Sequence, residues 1–199
     1  MKIALTGTSG IGKTTLAKAL SERFSIKLIE EDFNAIAYAA HVLEKTPTSK
    51  EKESIKAGEQ LLKVMDEWLV KRMCYFNSNE SFIEDRFCID AIGYLAKSIV
   101  GQLREDILKD LIVKCSQYTS VYDLIIVPPI ADWSMTQYKN EAGLYRKNNF
   151  AMKITSQSTR IGLLEQFCAA PKLYINASCN TTEQRLDYVC AVISQLKIK

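Results

Sequence analysis

The chain has 199 residues, of which 47% are hydrophobic and 25% are charged, and its formal net charge is +3. The composition is ordinary for a soluble globular protein, and the length is sufficient for one α/β domain with a buried core, or with a core and a small lid. No apolar run approaches the roughly 20 residues that span a bilayer. The weak positive charge, which is not gathered into a basic run, permits anionic ligands and argues against a long nucleic-acid footprint.

The start of the chain and its cysteines give the same indication of cellular location. The chain enters an apolar stretch directly, with no basic, cleavable leader before it. Its six cysteines form no CxxC pair and have no histidine at ligand spacing, which favours reduced buried thiols over zinc sites or disulfides. We therefore expect a cytoplasmic protein with no membrane partner, and one domain over residues 1–199.

The first predicted strand, Lys2–Thr6, leads into a glycine-rich loop and then a helix. Residues 7–14 read GTSGIGKT, and Leu16, Leu20 and Phe24 follow at the four-residue spacing of an amphipathic helix. Glycines let the backbone curl so that successive N–H groups point inward at the positive end of the helix. A Gly-x-x-x-x-Gly-Lys-[Ser/Thr] pattern between strand and helix predicts a loop that holds the phosphates of a nucleoside triphosphate.

Each position of this loop then has an expected role. Lys13 would reach the β- and γ-phosphates, and the Thr14 hydroxyl would ligate Mg²⁺. The residues expected to contact the nucleotide are Gly7, Thr8, Ser9, Gly10, Ile11, Gly12, Lys13, Thr14 and Thr15.

Further apolar runs along the chain alternate with helical patterns. The runs predicted to be strands are Ile26–Ile29, Ser81–Ile83, Tyr122–Val127 and Lys172–Ile175. Alternation of this kind predicts an α/β fold in which a doubly wound, five-stranded parallel sheet is covered on both faces. Ligands of such sheets bind at the carboxyl ends of the strands, so the residues after each run are candidates for the site.

The most informative of these strand ends is Glu84-Asp85-Arg86. An acid there, beside a phosphate loop, would handle Mg²⁺ or a substrate hydroxyl, and the arginine would clamp phosphate. The fourth run ends in Val-Pro-Pro and offers no acid. The second run is followed by Glu31 and Asp32, which stay open as alternative catalytic bases.

One further pattern imitates a GTPase motif. The stretch Asp90–Gly93 reads DAIG and matches DxxG, but the chain has no Asn-Lys-x-Asp motif for reading guanine. We interpret this stretch as part of a helix and its match as coincidental.

Two segments interrupt the alternation, and one cap marks the last helix. Residues 33–78 are predicted to form a helical acceptor-side insertion, with Thr48 and Glu51 as a capping box. Residues 132–150 are polar and carry Lys139, Arg146 and Lys147, as expected of a lid that closes over phosphates. Asn180 with Glu183 is predicted to cap the C-terminal helix.

Several of these motifs occur together in one known group of proteins. Gly7–Thr14, the acidic second strand end, EDR at 84–86, YDLIIVPP at 122–129 and EAGLYR at 141–146 come in the same order as in P-loop nucleoside and nucleotide kinase-like proteins. The chain most resembles the ribosylnicotinamide kinase domain of bacterial NAD-biosynthesis regulators and related phage-borne kinases. The resemblance covers nearly the whole chain and implies a P-loop kinase fold that uses ATP and Mg²⁺.

The resemblance also implies roles for individual residues. Lys13 would bind and orient the phosphates, and Thr14 would ligate Mg²⁺. Asp85 would contact the metal or deprotonate the acceptor, and Arg86 would hold the acceptor or the phosphates. Arg146 would be supplied by the lid.

The leading hypothesis is a kinase that transfers the γ-phosphate of ATP to a hydroxyl or monophosphate of a nucleoside- or nucleotide-like acceptor. A narrower version acts on a hydroxymethylated pyrimidine in DNA, as phage members of the group suggest. A nucleotide-sensing switch and an ATPase without acceptor chemistry are the alternatives. The sequence leaves the oligomeric state open.

Overall fold

The computed structural model describes residues 1–30, 51–96, 105–130 and 150–196. The strands are β1 (Lys2–Leu5), β2 (Lys27–Ile29), β3 (Phe82–Asp85), β4 (Leu124–Val127) and β5 (Lys172–Tyr174). The described helices are α1 (Lys13–Phe24), α2 (Glu51–Phe76), α3 (Cys88–Leu95), α4 (Glu105–Thr119), α5 (Phe150–Phe167) and α6 (Thr182–Leu196).

The five strands form one sheet in the order β2-β3-β1-β4-β5, and every described pair is parallel. This confirms the predicted doubly wound α/β fold. Because β1 lies at the centre, the loop that follows it is flanked by the carboxyl ends of β3 and β4. The strand order therefore places the predicted phosphate loop where parallel sheets bind their ligands.

Alternation along β1 separates two apolar layers. Ile3 and Leu5 pack with residues of α1 and α6, whereas Ala4 packs with residues of α2, α3, α4 and α5. The same period of two governs β3, where Phe82 belongs to the second layer and Ile83 to the first. The apolar residues of the three central strands are thereby buried under helices on both faces, as a parallel sheet requires.

Strand β3 is longer than the sequence indicated. Glu84 and Asp85 were expected just beyond the strand, but they pair with Ala4 and Leu5 inside the sheet. Both carboxylates are fully buried there. The sequence reasoning was wrong at this boundary because acidic residues are rare in buried strands unless another element supplies compensating contacts.

The cap of α6 also differs from the prediction. The N–H of Gln184 donates to Thr181 Oγ1 at 3.2 Å, and Gln184 Oε1 accepts the N–H groups of Asn180 and Thr181 at 2.8 and 3.1 Å. The expected pair of Asn180 and Glu183 was therefore one residue too early. Thr181 and Gln184 have the spacing of a capping box as well, and they satisfy more of the orphan N–H groups.

Other predictions are met in part. All six cysteines are free, but only Cys88, Cys115 and Cys168 are buried, and Cys74 is exposed. Helix α2 confirms the helical character of residues 51–76, whereas 33–50 and 132–149 lie outside the described residues. Within the described ranges, no helix combines the length and the apolar character that a bilayer crossing needs.

Candidate active site

The loop between β1 and α1 has the curled backbone that its glycines predict. Gly7, Gly10 and Gly12 have φ angles of 133°, 78° and 84°, and α1 begins at Lys13, directly after Gly12. A Cβ atom at Gly7 would lie 2.7 Å from Ile11 Cδ1 and 2.9 Å from Gln157 Oε1. The φ of 133° at Gly7 would strain any other side chain, and the neighbouring side chains would also have to move. The predicted order of strand, loop and helix is confirmed by β1 and α1.

Lys13 occupies the first turn of α1 and is only 4% exposed. Its ammonium group donates to the Thr8 carbonyl oxygen at 2.7 Å, across the loop. Burial and the nearby Arg86 guanidinium hold the pKa of Lys13 well below its usual range, although Asp90 and Asp85 oppose this shift. A buried cation at a helix N-terminus is the combination that attracts phosphate.

Thr14 and Thr15 follow on the first turn of α1, and both are exposed. This first turn contains no acidic residue. The exposure of both residues is compatible with their predicted contacts, which stay predictions.

Asp85 and Arg86 lie beside the loop because β3 neighbours β1. Asp85 is 1% exposed, and among the described residues its Oδ1 atom has no hydrogen-bond partner. Arg86 has a φ of 70°, and its N–H donates to the Leu5 carbonyl oxygen at 3.0 Å. A left-handed arginine is costly by roughly 1–2 kcal/mol, and strain of this kind is common at functional sites.

Asp90 is a site residue that the sequence reasoning missed. It lies in the first turn of α3, as predicted, and is fully buried. Its carboxylate accepts the Gly7 N–H at 3.4 Å and the Arg160 Nε–H at 2.8 Å, and lies 4.0 Å from Arg86 Nη1. An acid in the first turn of an otherwise apolar helix, just after EDR, was the signal available in the sequence.

Two residues of α5 support the loop, one by direct contact and the other through Asp90. Gln157 Oε1 accepts the Thr8 N–H at 2.7 Å, and Gln157 Nε2 donates to the Pro128 carbonyl oxygen at 3.1 Å. Arg160, one turn further on, is the donor to Asp90. Polar residues of a helix carry no such signal in the sequence, because their partners are distant along the chain.

Arg185 of α6 supports the opposite side of the loop. Its Nη1 donates to the Ile11 carbonyl oxygen at 2.6 Å, and its Nε donates to the Cys179 carbonyl oxygen at 2.9 Å. The Ile11 carbonyl oxygen is therefore bonded to a cation. A loop carbonyl that is occupied in this way does not compete with a bound anion for the N–H groups of the loop.

A second buried carboxylate, Glu84, lies on the other face of β3. The Tyr122 hydroxyl donates to Glu84 Oε2, and Arg72 Nε lies 3.4 Å from Oε1. Arg72 Nη2 also donates to the Glu30 carbonyl oxygen at 3.1 Å. The cluster ties α2 to the carboxyl ends of β2 and β3, which border the site.

The AAA domain family model matches residues 2–163. The chain belongs to this family.

One curated relative of this AAA domain is named as a kinase. A Methanocaldococcus jannaschii protein named "Putative adenylate kinase" is 28% identical over 142 residues, which cover 62% of this chain and 76% of the relative. The resemblance to P-loop kinase-like proteins, inferred from the sequence motifs, is thereby supported.

Solved structures share the fold at lower identity. Deoxyadenosine kinase of M. mycoides has a TM-score of 0.57, 16% identity, and coverage of 98% of this chain and 100% of its own. Thymidylate kinase of Candida albicans has a TM-score of 0.59, 16% identity, and coverage of 98% and 92%. The NadR protein, in complex with NAD and AMP-PNP, has a TM-score of 0.58 and 13% identity, and the match spans 100% of this chain and 50% of NadR. The AAA domain therefore has the fold of nucleoside and nucleotide kinases.

This fold implies Mg²⁺, and the residues of the AAA domain fit it. The Asp85 Oδ1 atom is a buried carboxylate oxygen without a partner, and Thr14 offers an exposed hydroxyl. The described residues contain no cluster of three or more metal-binding side chains. That is compatible with Mg²⁺, which takes one or two carboxylates and completes its octahedron with phosphate oxygens and water.

Other predicted residues lie outside the described ranges. They are Arg146 with the rest of residues 132–149, and the alternative bases Glu31 and Asp32. Phe150, the last residue of the lid predicted at 132–150, is described and begins α5. Their roles stay predictions.

The Glu84 cluster predicts a pH dependence of stability. Burial raises the pKa of Glu84 from 4.5 to about 7, against the opposing effects of Arg72 and Tyr122, with Asp90 and Asp85 adding to the rise. The folded state therefore binds a proton that the unfolded state releases between these values. This contribution to the free energy of unfolding is fully present below about pH 4.5 and falls as pH rises from about 4.5 to about 7, by about 3 kcal/mol in all.

Glu84→Gln is expected to remove this contribution. The free energy of unfolding, measured with urea at about pH 5 and about pH 8, should fall between these pH values in both proteins. The fall should be about 3 kcal/mol smaller in the variant than in the wild type. Glu67→Gln, which replaces an exposed residue of α2, is the control and should keep the wild-type pH dependence. Equal pH dependence in Glu84→Gln and wild type would contradict a raised pKa.

Proposed function

We propose that this AAA domain is a phosphotransferase that moves the γ-phosphate of ATP to a nucleoside- or nucleotide-like acceptor, using one domain over residues 1–199. The observation that carries this proposal is the placement of two buried groups beside the same loop. Lys13 begins the helix that follows β1, and Asp85 lies at the end of the neighbouring strand β3, with an Oδ1 atom that has no hydrogen-bond partner among the described residues. The Lys13 ammonium is suited to bind the phosphates of ATP, and the Asp85 carboxylate is suited to bind a metal ion or an acceptor hydroxyl.

The phosphate loop would bind ATP by backbone N–H groups of residues 7–15 and by the Lys13 ammonium. In the free loop this ammonium donates to the Thr8 carbonyl, and ATP would replace that carbonyl with phosphate oxygens. Phosphoryl transfer depends mainly on positioning and on neutralising charge. Lys13 would supply both, because its ammonium is already held in the loop.

Asp85 and Thr14 are the residues that would hold Mg²⁺. The bound ion would neutralise charge on the transferring phosphoryl group. As an alternative, Asp85 would take the proton of the acceptor hydroxyl while the acceptor oxygen bonds to phosphorus and the bond to ADP breaks. Arg86, whose guanidinium is oriented toward Asp90, would contact the acceptor or the phosphates.

The class of acceptor is supported by the relatives. A deoxyadenosine kinase, a thymidylate kinase and the M. jannaschii protein named for adenylate kinase act, by their names, on nucleosides or nucleotides. The NadR structure contains NAD and AMP-PNP. We therefore propose a nucleoside or a nucleoside monophosphate as acceptor.

The test is to incubate the protein with ATP labelled in its γ-phosphate and with separate acceptors. The acceptors are nucleosides, ribosylnicotinamide, nucleoside monophosphates and DNA that contains hydroxymethylated pyrimidine. We expect label in a nucleoside or a monophosphate. Label in the DNA would indicate the narrower activity, a DNA kinase, and label only in inorganic phosphate would indicate an ATPase. Tight ATP binding without turnover would indicate a nucleotide-sensing switch.

A further inference from the structure

Gln157 makes two hydrogen bonds that the proposed reaction does not use directly. The side chain is 8% exposed, and it accepts the Thr8 N–H at 2.7 Å while donating to the Pro128 carbonyl at 3.1 Å. Its amide group therefore bridges the phosphate loop and the chain that leaves β4. Both contacts are with backbone atoms, so they constrain the backbone conformation of the two segments.

The backbone of Thr8 is held on both sides in the free protein. Gln157 occupies its N–H, and the Lys13 ammonium occupies its carbonyl. If Lys13 turns to phosphate, as the proposed function requires, it releases the carbonyl. The Gln157 contact then remains as the support for this part of the loop.

A second contact reaches the preceding N–H from the same helix. Asp90 accepts the Gly7 N–H, and Arg160, three residues after Gln157 on α5, donates to Asp90. The two first N–H groups of the loop are thus held by α5, one directly and one through Asp90. Gln157 Oε1 would lie 2.9 Å from a Cβ atom at Gly7, so this close approach depends on glycine.

We propose that Gln157 is a positioning residue that keeps the phosphate loop in the conformation that binds the triphosphate. The inference rests on the proposed function. A buried N–H that loses its partner favours conformations in which it finds another. Without the Gln157 oxygen, the fraction of loops in the binding conformation should fall roughly tenfold, and the apparent Kd for the nucleotide should rise by the same factor.

The test compares Gln157→Leu, which removes both hydrogen bonds at similar volume, with Gln166→Leu, which replaces an exposed residue of the same helix. Calorimetry with AMP-PNP should give a roughly tenfold higher Kd for Gln157→Leu. The KM for ATP should rise by a similar factor, whereas kcat should stay within about twofold of the wild-type value. Gln166→Leu should retain the wild-type values.

Two results would overturn the proposal. One is an unchanged Kd in Gln157→Leu with only a lower Tm, which is the sign of a purely structural residue. The other is a loss of kcat at unchanged Kd. Wild-type protein that binds no AMP-PNP would instead overturn the proposed function, so the two failures are distinguishable.

A measurement on the wild-type protein keeps the proposal testable if Gln157→Leu does not fold. Amide hydrogen exchange, resolved by NMR, should be slow at Thr8 both with and without AMP-PNP, because the partner of this N–H is Gln157. The Lys13 N–H should become slow only when nucleotide is bound. Slow exchange at Thr8 that depends on AMP-PNP would contradict the proposed role of Gln157.

Discussion

Lys13→Ala is expected to reduce phosphoryl transfer by roughly 10²–10⁴-fold, because a charge-stabilising contact that strengthens in the transition state is lost. The ammonium lies inside the phosphate loop, where it donates a hydrogen bond to the Thr8 carbonyl across the loop. Since burial lowers the pKa of Lys13, its charge costs stability in the free protein. The variant should therefore fold as well as wild type.

The measurement is kcat with ATP and the acceptor identified by the labelling panel, together with thermal unfolding. Lys18→Ala is the matched control, because Lys18 is an exposed lysine of the same helix. Its activity should equal that of wild type. Unchanged activity in purified Lys13→Ala would rule out the phosphate-binding role of the loop.

Asp85→Asn is expected to lower kcat by roughly 10²–10³-fold while changing ATP affinity much less, by analogy with other single electrostatic groups. Asparagine preserves the volume of the side chain but removes the negative charge. Asp85 is buried beside Leu5, and its Oδ1 atom has no hydrogen-bond partner. Loss of this charge should leave the stability of the fold unchanged or increase it.

The kinetics of Asp85→Asn distinguish its two proposed roles. If Asp85 holds Mg²⁺, the Mg²⁺ concentration for half-maximal activity should rise. If Asp85 is the base for the acceptor, the Mg²⁺ requirement should stay the same and the acidic limb of the pH profile should disappear. Asp187→Asn, at an exposed site on α6, is the control. Wild-type turnover at saturating Mg²⁺ would place the essential carboxylate elsewhere, with Glu31 and Asp32 next in line.

Local sequence patterns were sufficient for the strands and for the phosphate loop. The glycine spacing from Gly7 to Gly12 specifies a backbone that few other residues can adopt, and Lys13 follows it directly. The five apolar runs alternate with helical patterns, which leaves few topologies for a sheet. Boundaries were less accurate, as Glu84 and Asp85 in β3 and the cap at Thr181 show, because contacts from other elements decide them.

The sequence by itself determined the fold class and the backbone of the glycine loop, and it placed Asp85 and Arg86 where a strand ends, since each of these features depends on residues close together in the chain. Only the tertiary structure decided which side chains support the loop. Gln157 meets Thr8 across 149 positions, Asp90 meets Gly7 across 83, and Arg185 meets Ile11 across 174. These contacts exist because the sheet order places β1 between β3 and β4, so helices that follow distant strands converge on one loop.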